Sequence, residues 1–330
     1  MVKVRSLCFG SRVRTVLSSV LVLAVAAVVV VGLGVAIGVF GVPSVEGVDN
    51  RFGSVNETST AIETNITIDN PNPIGINLGG LSVSYEVTMN DVRMATGEKN
   101  GISVDSGAST VSLRTRMNNE RLPGWWVSHI ENDEQTTMDV DGSAESSLLG
   151  QSTGFNAAER TISTDIDSAF DTGETRPINA SRPAVSDPVL YLNETSGSWG
   201  DVNDATTEID MRFVVYNPKS YAIPVSQLAY NMTMNDVAVG SGASENTRVL
   251  EPGTKSEIRT TTVMENGRLD EWWVSHLENG QVTDLEIAFG VRIDLTEAAI
   301  VDLGAIDVPL DTVEHRFETD VFGSENASEA

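Results

Sequence analysis

Apolar and polar residues alternate along this chain in matched pairs of segments. Ile62, Thr64, Ile66 and Ile68 share one phase, and Ile209, Met211, Phe213 and Val215 repeat it. Val83, Tyr85, Val87 and Met89 are answered by Leu228, Tyr230, Met232 and Met234. Val111, Leu113, Thr115 and Met117 are answered by Ile258, Thr260, Thr262 and Met264, and Met138 and Val140 by Leu285 and Ile287. Successive side chains of a strand point to opposite faces, so this period predicts half-buried strands of antiparallel sheets. Two sets of such strands predict an all-β chain of two tandem β-sandwiches.

The rhythm breaks twice on one phrase. Trp125-Trp126-Val127-Ser128-His129 recurs as Trp272-Trp273-Val274-Ser275-His276, 147 residues on. On or near the same offset, Asn70-Pro71 is answered by Asn217-Pro218, and Thr88–Asp91 by Thr233–Asp236. A period of this length is that of a domain, not of a solenoid unit, so the chain is a tandem duplication. Each Trp-Trp segment predicts a two-turn helix. Pro123 sits near the start of the first, Asp270 is placed to N-cap the second, and Gly280 is placed to stop it. Trp126 and Ile130, like Trp273 and Leu277, are four apart and share a face that would cover one end or edge of a sandwich.

Matched beginnings and ends set the boundaries. The first sandwich is expected over 43–168 and the second over 187–323, with an exposed linker at 169–186 and an acidic disordered tail at 324–330. Thr15 to Ser44 is uncharged and rich in Val, Ala, Leu and Gly. About twenty such residues cross a bilayer, so 15–42 is expected to be a transmembrane helix. Its basic flank (Lys3, Arg5, Arg12, Arg14) is N-terminal, which places 1–14 in the cytoplasm and the sandwiches outside the cell. The run is too long for the core of a cleaved signal peptide.

Charge adds to this picture. Beyond Val42 there are 17 basic and 47 acidic residues, a net of −30. Such a surface disfavours nucleic acid and anionic membranes as partners. Lysine occurs four times in the chain, and an acidic, lysine-poor protein suits molar salt, where the Debye length is about 3 Å. An extreme halophile is the expected source. The lone Cys8 lies before the apolar run, so neither sandwich can hold a disulfide. Asn56, Asn65, Asn179, Asn193, Asn231 and Asn326 stand in Asn-x-Ser/Thr sequons and are possible glycosylation sites. Asn65 and Asn231 fall on the outward phase of their strands.

His129 and His276 each follow a serine, but adjacent residues of a helix point in different directions, so a packing histidine is expected rather than a general base. Asp139-Val140-Asp141-Gly142 lacks the ligand spacing of a calcium loop. Asn70 and Asn217, each before a proline, are expected to form turns. No catalytic, cofactor-binding or metal-binding residue is expected, and no small-molecule substrate.

The order of Asn70-Pro71-Asn72 (Asn217-Pro218-Lys219), Tyr85 (Tyr230), Asn-Asp, a Gly-rich turn and Trp-Trp-x-x-His-x-x-Asn resembles the group 2 late embryogenesis abundant family. Its unit is the water stress and hypersensitive response domain. The resemblance covers both sandwiches, and Lys219 departs from it. It implies an immunoglobulin- or fibronectin-III-like sandwich with one short helix, no reaction, and a role in desiccation or osmotic stress. The function expected is stress protection through weak binding to client surfaces; the alternative is a structural or adhesive envelope module that binds a protein partner.

Overall fold

A computed structural model describes residues 43–147, 150–182, 185–244, 248–294 and 304–322. Sixteen strands dominate these residues. The first unit holds β1 (Ser44–Val55), β2 (Ser59–Asn70), β3 (Ile76–Met89), β4 (Val92–Val104), β5 (Gly107–Asn118), helix α1 (Leu122–Glu131), β6 (Gln135–Ser146) and β7 (Gln151–Ser163). The second holds β8 (Arg176–Ile178), β9 (Leu190–Val202), β10 (Thr206–Tyr216), β11 (Ile223–Met234), β12 (Val237–Ser244), β13 (Arg248–Leu250), β14 (Lys255–Glu265), helix α2 (Leu269–Glu278), β15 (Val282–Asp294) and β16 (Ala305–Glu318). The described strands pair antiparallel throughout, so the chain is all-β as its alternation predicts.

In the second unit one sheet runs β14-β10-β9-β8 and another β12-β11-β15-β16. Their inner faces meet at Phe213 of β10 and Phe289 of β15, whose rings lie 4.9 Å apart. The first unit repeats the plan as β5-β2-β1 and β4-β3-β6-β7, but a two-pair contact joins β4 to β5 at Ala95–Met117 and Thr96–Arg116. The two layers thus become one continuous seven-stranded sheet. The matched position in β12 is Gly240, where an added Cβ would lie 2.3 Å from the Val263 carbonyl of β14. Backbone approaches backbone there too closely for a side chain.

The alternating residues face inward. Ile66, Ile68, Val83, Tyr85, Val111 and Leu113 are buried, as are Ile209, Met211, Phe213, Tyr230 and Ile287. Burying each large apolar side chain contributes roughly 1.5–3 kcal/mol, which is the main force holding chains without disulfides.

Two expectations change. The stretch 169–186 is not simply an exposed linker. Phe170 and Ile178 are buried, and β8 joins the second unit by pairing with β9. An apolar residue every few positions gives such a segment a place in a core, which its Gly, Thr and Pro content obscures. Helix α2 begins at Leu269, directly after a 3-10 turn (Asn266–Arg268), so Asp270 lies inside the first turn and does not cap it. Its carboxylate accepts from the Glu271 amide instead. The helix does stop where Gly280 predicts. Gly280 takes φ +70°, its amide donates to Leu277 O, and the Gln281 amide donates to His276 O, the two bonds of a Schellman ending.

The expected segments 1–14 and 15–42, the tail and Asn326 lie outside the described residues. Among the described residues no helix is long and apolar enough to cross a membrane.

Candidate functional site

The two Trp-Trp helices meet at the junction of the units. Trp125, Trp126, His129, Trp272, Trp273 and His276 are all buried, and the rings of Trp126 and Trp272 lie 6.2 Å apart. The first tryptophan of each pair serves its own unit: Trp125 Nε1 donates to Thr136 Oγ1, and Trp272 Nε1 to Thr283 Oγ1, both at 2.9 Å. The second reaches across. Trp126 Nε1 donates to Thr207 Oγ1 of the second unit, and Trp273 Nε1 to Thr60 Oγ1 of the first, each at 3.0 Å. Each threonine hydroxyl then donates to an asparagine on its own unit, Thr60 to Asn119 Oδ1 at 3.0 Å and Thr207 to Asn266 Oδ1 at 2.9 Å. Ring contacts keep the same pseudo-twofold order. Trp126 stands edge-on to Trp199 of β9, and Trp273 edge-on to Phe52 of β1, both at 6.2 Å. The Trp-Trp segments are therefore the joint between the two units as well as a lid on each. An apolar core runs through the joint without a break.

Each histidine is held at both ring nitrogens. His129 Nδ1 lies 2.9 Å from Thr136 Oγ1 and Nε2 2.9 Å from Thr164 Oγ1. His276 repeats this with Thr283 at 2.7 Å and Thr319 at 2.8 Å. Burial drives both imidazoles down to about 4, opposed at His129 by the charge of Glu134 and at His276 by the backbone carbonyl of Val282. Both rings are thus neutral near pH 7.

Donor counting assigns the first tautomer. Thr164 gives its proton to Glu134 Oε2 at 2.7 Å, so it must accept from His129 Nε2–H. Nδ1 is then bare and accepts from Thr136, whose oxygen accepts Trp125 Nε1–H. The result is one directed chain of hydrogen bonds, Trp125 to Thr136 to His129 to Thr164 to Glu134. In the second unit Gln281 occupies the position of Glu134, and its Oε1 accepts from the Val321 amide at 3.1 Å.

Glu134 is 4 % exposed. Besides Thr164 it accepts from the Ile166 amide at 2.6 Å, the Asp167 amide at 2.9 Å and, across the joint, Trp199 Nε1 at 2.9 Å. Burial by itself raises its pKa, but these donors outweigh burial and hold the carboxyl below its ordinary value. A buried charge is tolerated here because four donors satisfy it.

The arrangement holds the fold and does not expose a reactive group. The Ser128 and Ser275 hydroxyls donate to the carbonyls of Trp125 and Trp272, each at 2.7 Å, and not to the histidines. Among the described residues no group of three His, Cys, Asp or Glu side chains is placed to hold a metal ion.

The Asn-Pro elements lie away from the tryptophans, at the ends of β2 and β10. Asn70 Nδ2 donates to Ile74 O and Asp105 O, and its Oδ1 accepts from Asn72 N and Nδ2. Asn217 repeats this on Tyr221 O, Leu250 O and Lys219 N. Pro71 and Pro218 follow where pairing stops. Lys219 sends Nζ to Ser186 Oγ at 2.8 Å, a contact that the Asn72 position cannot make. Among the sequon residues, Asn56, Asn179 and Asn231 are exposed. Asn65 is half-buried and accepts from Ser112 Oγ, and Asn193 is half-buried with Nδ2 on Thr175.

Pattern reading missed the threonines, Asn119, Asn266 and Glu134. A signal existed for most of them. Thr60 and Thr207, Asn119 and Asn266, and Thr136 and Thr283 all repeat at the 147-residue offset of the tryptophans. Glu134 does not repeat, so nothing in the duplication marks it.

Comparison with known proteins agrees with this architecture. The family model described as "Late embryogenesis abundant protein" matches residues 65–155 and 212–313, once in each unit and together more than half of the chain. An uncharacterized protein of Methanocaldococcus jannaschii is 33% identical over 82 residues, 24% of this chain and 47% of that protein. The chain thus spans about half the length of the curated relative it matches. A crystal structure of a protein from Archaeoglobus fulgidus shares 28% identity over 39% of this chain and 98% of that one, with a TM-score of 0.35. A solution structure of a protein from Arabidopsis thaliana shares 18% over 37% and 77%, with a TM-score of 0.30. These two likenesses are too loose to carry an argument. The family model, matching once in each of two units that carry the same Asn-Pro and Trp-Trp-x-x-His elements, is specific: the chain belongs to the late embryogenesis abundant protein family.

Proposed function

We propose that this protein is a non-enzymatic stress protein whose paired sandwiches protect envelope components when water activity falls, through weak binding to client surfaces. Family membership supports the response to desiccation or osmotic stress. The observation that carries the non-enzymatic part is the state of the two motif histidines, which are buried, neutral and bonded at both nitrogens. A general base must present a free nitrogen to its substrate.

The uncharged run at 15–42 with its basic N-terminal flank supports a single-span anchor, with both sandwiches outside the cell. The exposed sequon residues Asn56, Asn179 and Asn231 suit glycans on that side. A net charge of −30 beyond Val42 with few lysines supports a high-salt habitat and a surface that retains water.

The test is gene deletion followed by drying or a shift in salt. The reading requires reduced survival of the deletion strain. Wild-type survival together with a defect in cell adhesion or envelope assembly would reverse it in favour of the adhesive module. That alternative calls for a broad exposed apolar patch. Among the described residues the large apolar side chains standing exposed are Ile74 and Val249, too few to make one.

A further inference from the structure

The two units are built on one pattern, yet their interiors differ. In the first, the buried apolar residues divide into two clusters, whereas those of the second belong to one. A cavity of about 90 Å³ lies along the seam in the first unit. Met89, Met94, Met117 and Met138 line it from one cluster, Tyr85 and Val140 from the other, and Trp273 with Phe322 closes it from the second unit. Its surface is almost wholly apolar. A cavity of that chemistry stays free of water and takes apolar guests.

The matched region of the second unit is built from different side chains. Thr64, Val87, Val140 and Phe52 line the cavity, and the matched positions of the second unit hold the larger Met211, Met232, Ile287 and Trp199. Met94 and Ala95 run the other way against Val239 and Gly240. The opening is specific too. Asn50 stands half-buried at the rim and accepts from Thr64 Oγ1 at 2.6 Å. Its counterpart is Gly197, where an added Cβ would lie 2.7 Å from both Met211 Sδ and Phe170 Cβ. The second unit is plugged at the point where the first is open.

We propose that the first unit is a binding site for the aliphatic end of an uncharged molecule with one hydrogen-bonding head, of the alkanol class. The volume is below the ~150 Å³ that accommodates benzene, so the tip of a chain enters and the rest stays outside. Asn50 and Thr64 supply the polar rim for the head, and a surface as acidic as this one disfavours an anionic head. Four methionines suit a site of this kind, because their unbranched thioethers re-pack around guests of different shape.

The methionines also report on it. Apart from Met1, four sit in the first unit and four (Met211, Met232, Met234, Met264) in the second. The full chain in lipid nanodiscs, labelled at the methionine methyls, is titrated with 1-hexanol and followed by NMR. The expected result is saturable movement of the four first-unit methyls while the second-unit methyls stay in place. Thr64→Met, which installs the residue of the second unit, should weaken binding at least about tenfold. Val140→Ile, a one-methylene change matching Ile287, should weaken it as well and keeps the test valid if Thr64→Met fails to fold. The proposal is overturned by no movement, by equal movement in both units, or by variants that bind hexanol as tightly as the parent.

Discussion

Trp126 donates its indole N–H to Thr207 across the joint at 3.0 Å, and Trp273 returns the same bond to Thr60 at 3.0 Å. Duplication of a sequence becomes a pseudo-twofold interface here, with each unit lending its second tryptophan to the other. A residue that reads as the core of its own sandwich is therefore shared, and this sets what its removal should do.

Trp126→Ala and Trp273→Ala should each cost about 3–5 kcal/mol, and the loss should fall on both units because the ring packs against both. Thr207→Val removes the hydroxyl that accepts from the indole and donates to Asn266 Oδ1, stranding a buried N–H, so about 1–3 kcal/mol is expected. Chemical denaturation, read separately through reporters in each unit, checks this. If Trp126→Ala lowers the midpoint of the first unit and leaves the second untouched, the shared joint is wrong.

Glu134→Gln should destabilise by about 1–3 kcal/mol, because an amide cannot accept from Thr164, Ile166, Asp167 and Trp199 together. One of its NH₂ hydrogens must instead face a donor. Gln281→Glu in the second unit lacks the matching set of donors and should not stabilise. Equilibrium unfolding of both variants at neutral pH decides, and a neutral Glu134→Gln would mean that the carboxylate is not charged.

Stability should fall as the pH drops from about 6.5 toward 4. Both motif histidines have folded values lowered to about 4 from 6.5, so the unfolded chain binds protons first in that window. A depressed value contributes stability that is fully present above the unfolded pKa and is lost as pH falls through the folded one. The loss is on the order of a few kcal/mol per histidine. Glu134, also held low, adds its own loss below the ordinary glutamate range. Urea midpoints between pH 7.5 and 4.5 test this. His276→Asn should roughly halve the slope over that range, and a flat profile for the parent protein would contradict the neutral, buried assignment.

Lowering salt from about 1 M to 0.1 M lengthens the Debye length from about 3 Å to about 10 Å and exposes the self-repulsion of the acidic units. The thermal midpoint should drop accordingly. An unchanged midpoint would remove the argument for a high-salt habitat.

Much of this molecule was legible in advance because its physics is local or periodic. The alternation from Ile62 to Ile68 states which faces are buried, since a strand has no other way to sort its side chains. Asn70 before Pro71 signals a strand end, because proline cannot pair and asparagine bonds the backbone nearby. Gly280 marks the end of α2 for a similarly local reason. Asp270 misled because a 3-10 turn ahead of the helix moved its start to Leu269, and such a turn leaves little trace in hydrophobic pattern. Phe170 misled because one apolar residue amid Asp, Gly and Thr carries no period.

By itself the sequence determined the all-β class, the duplication, the inward phase of each strand and the short Trp-Trp helices, all set by spacing along the chain. Only the tertiary structure decided that the helices face one another, that Trp126 and Trp273 trade partners, that Glu134 is buried under donors from both units, and that an apolar cavity lies along the seam of the first unit. Those outcomes depend on which surfaces meet and how volumes add across 65 to 213 residues of chain, from the Trp199–Glu134 bond to the Trp273–Thr60 bond. No periodicity in one dimension records that sum.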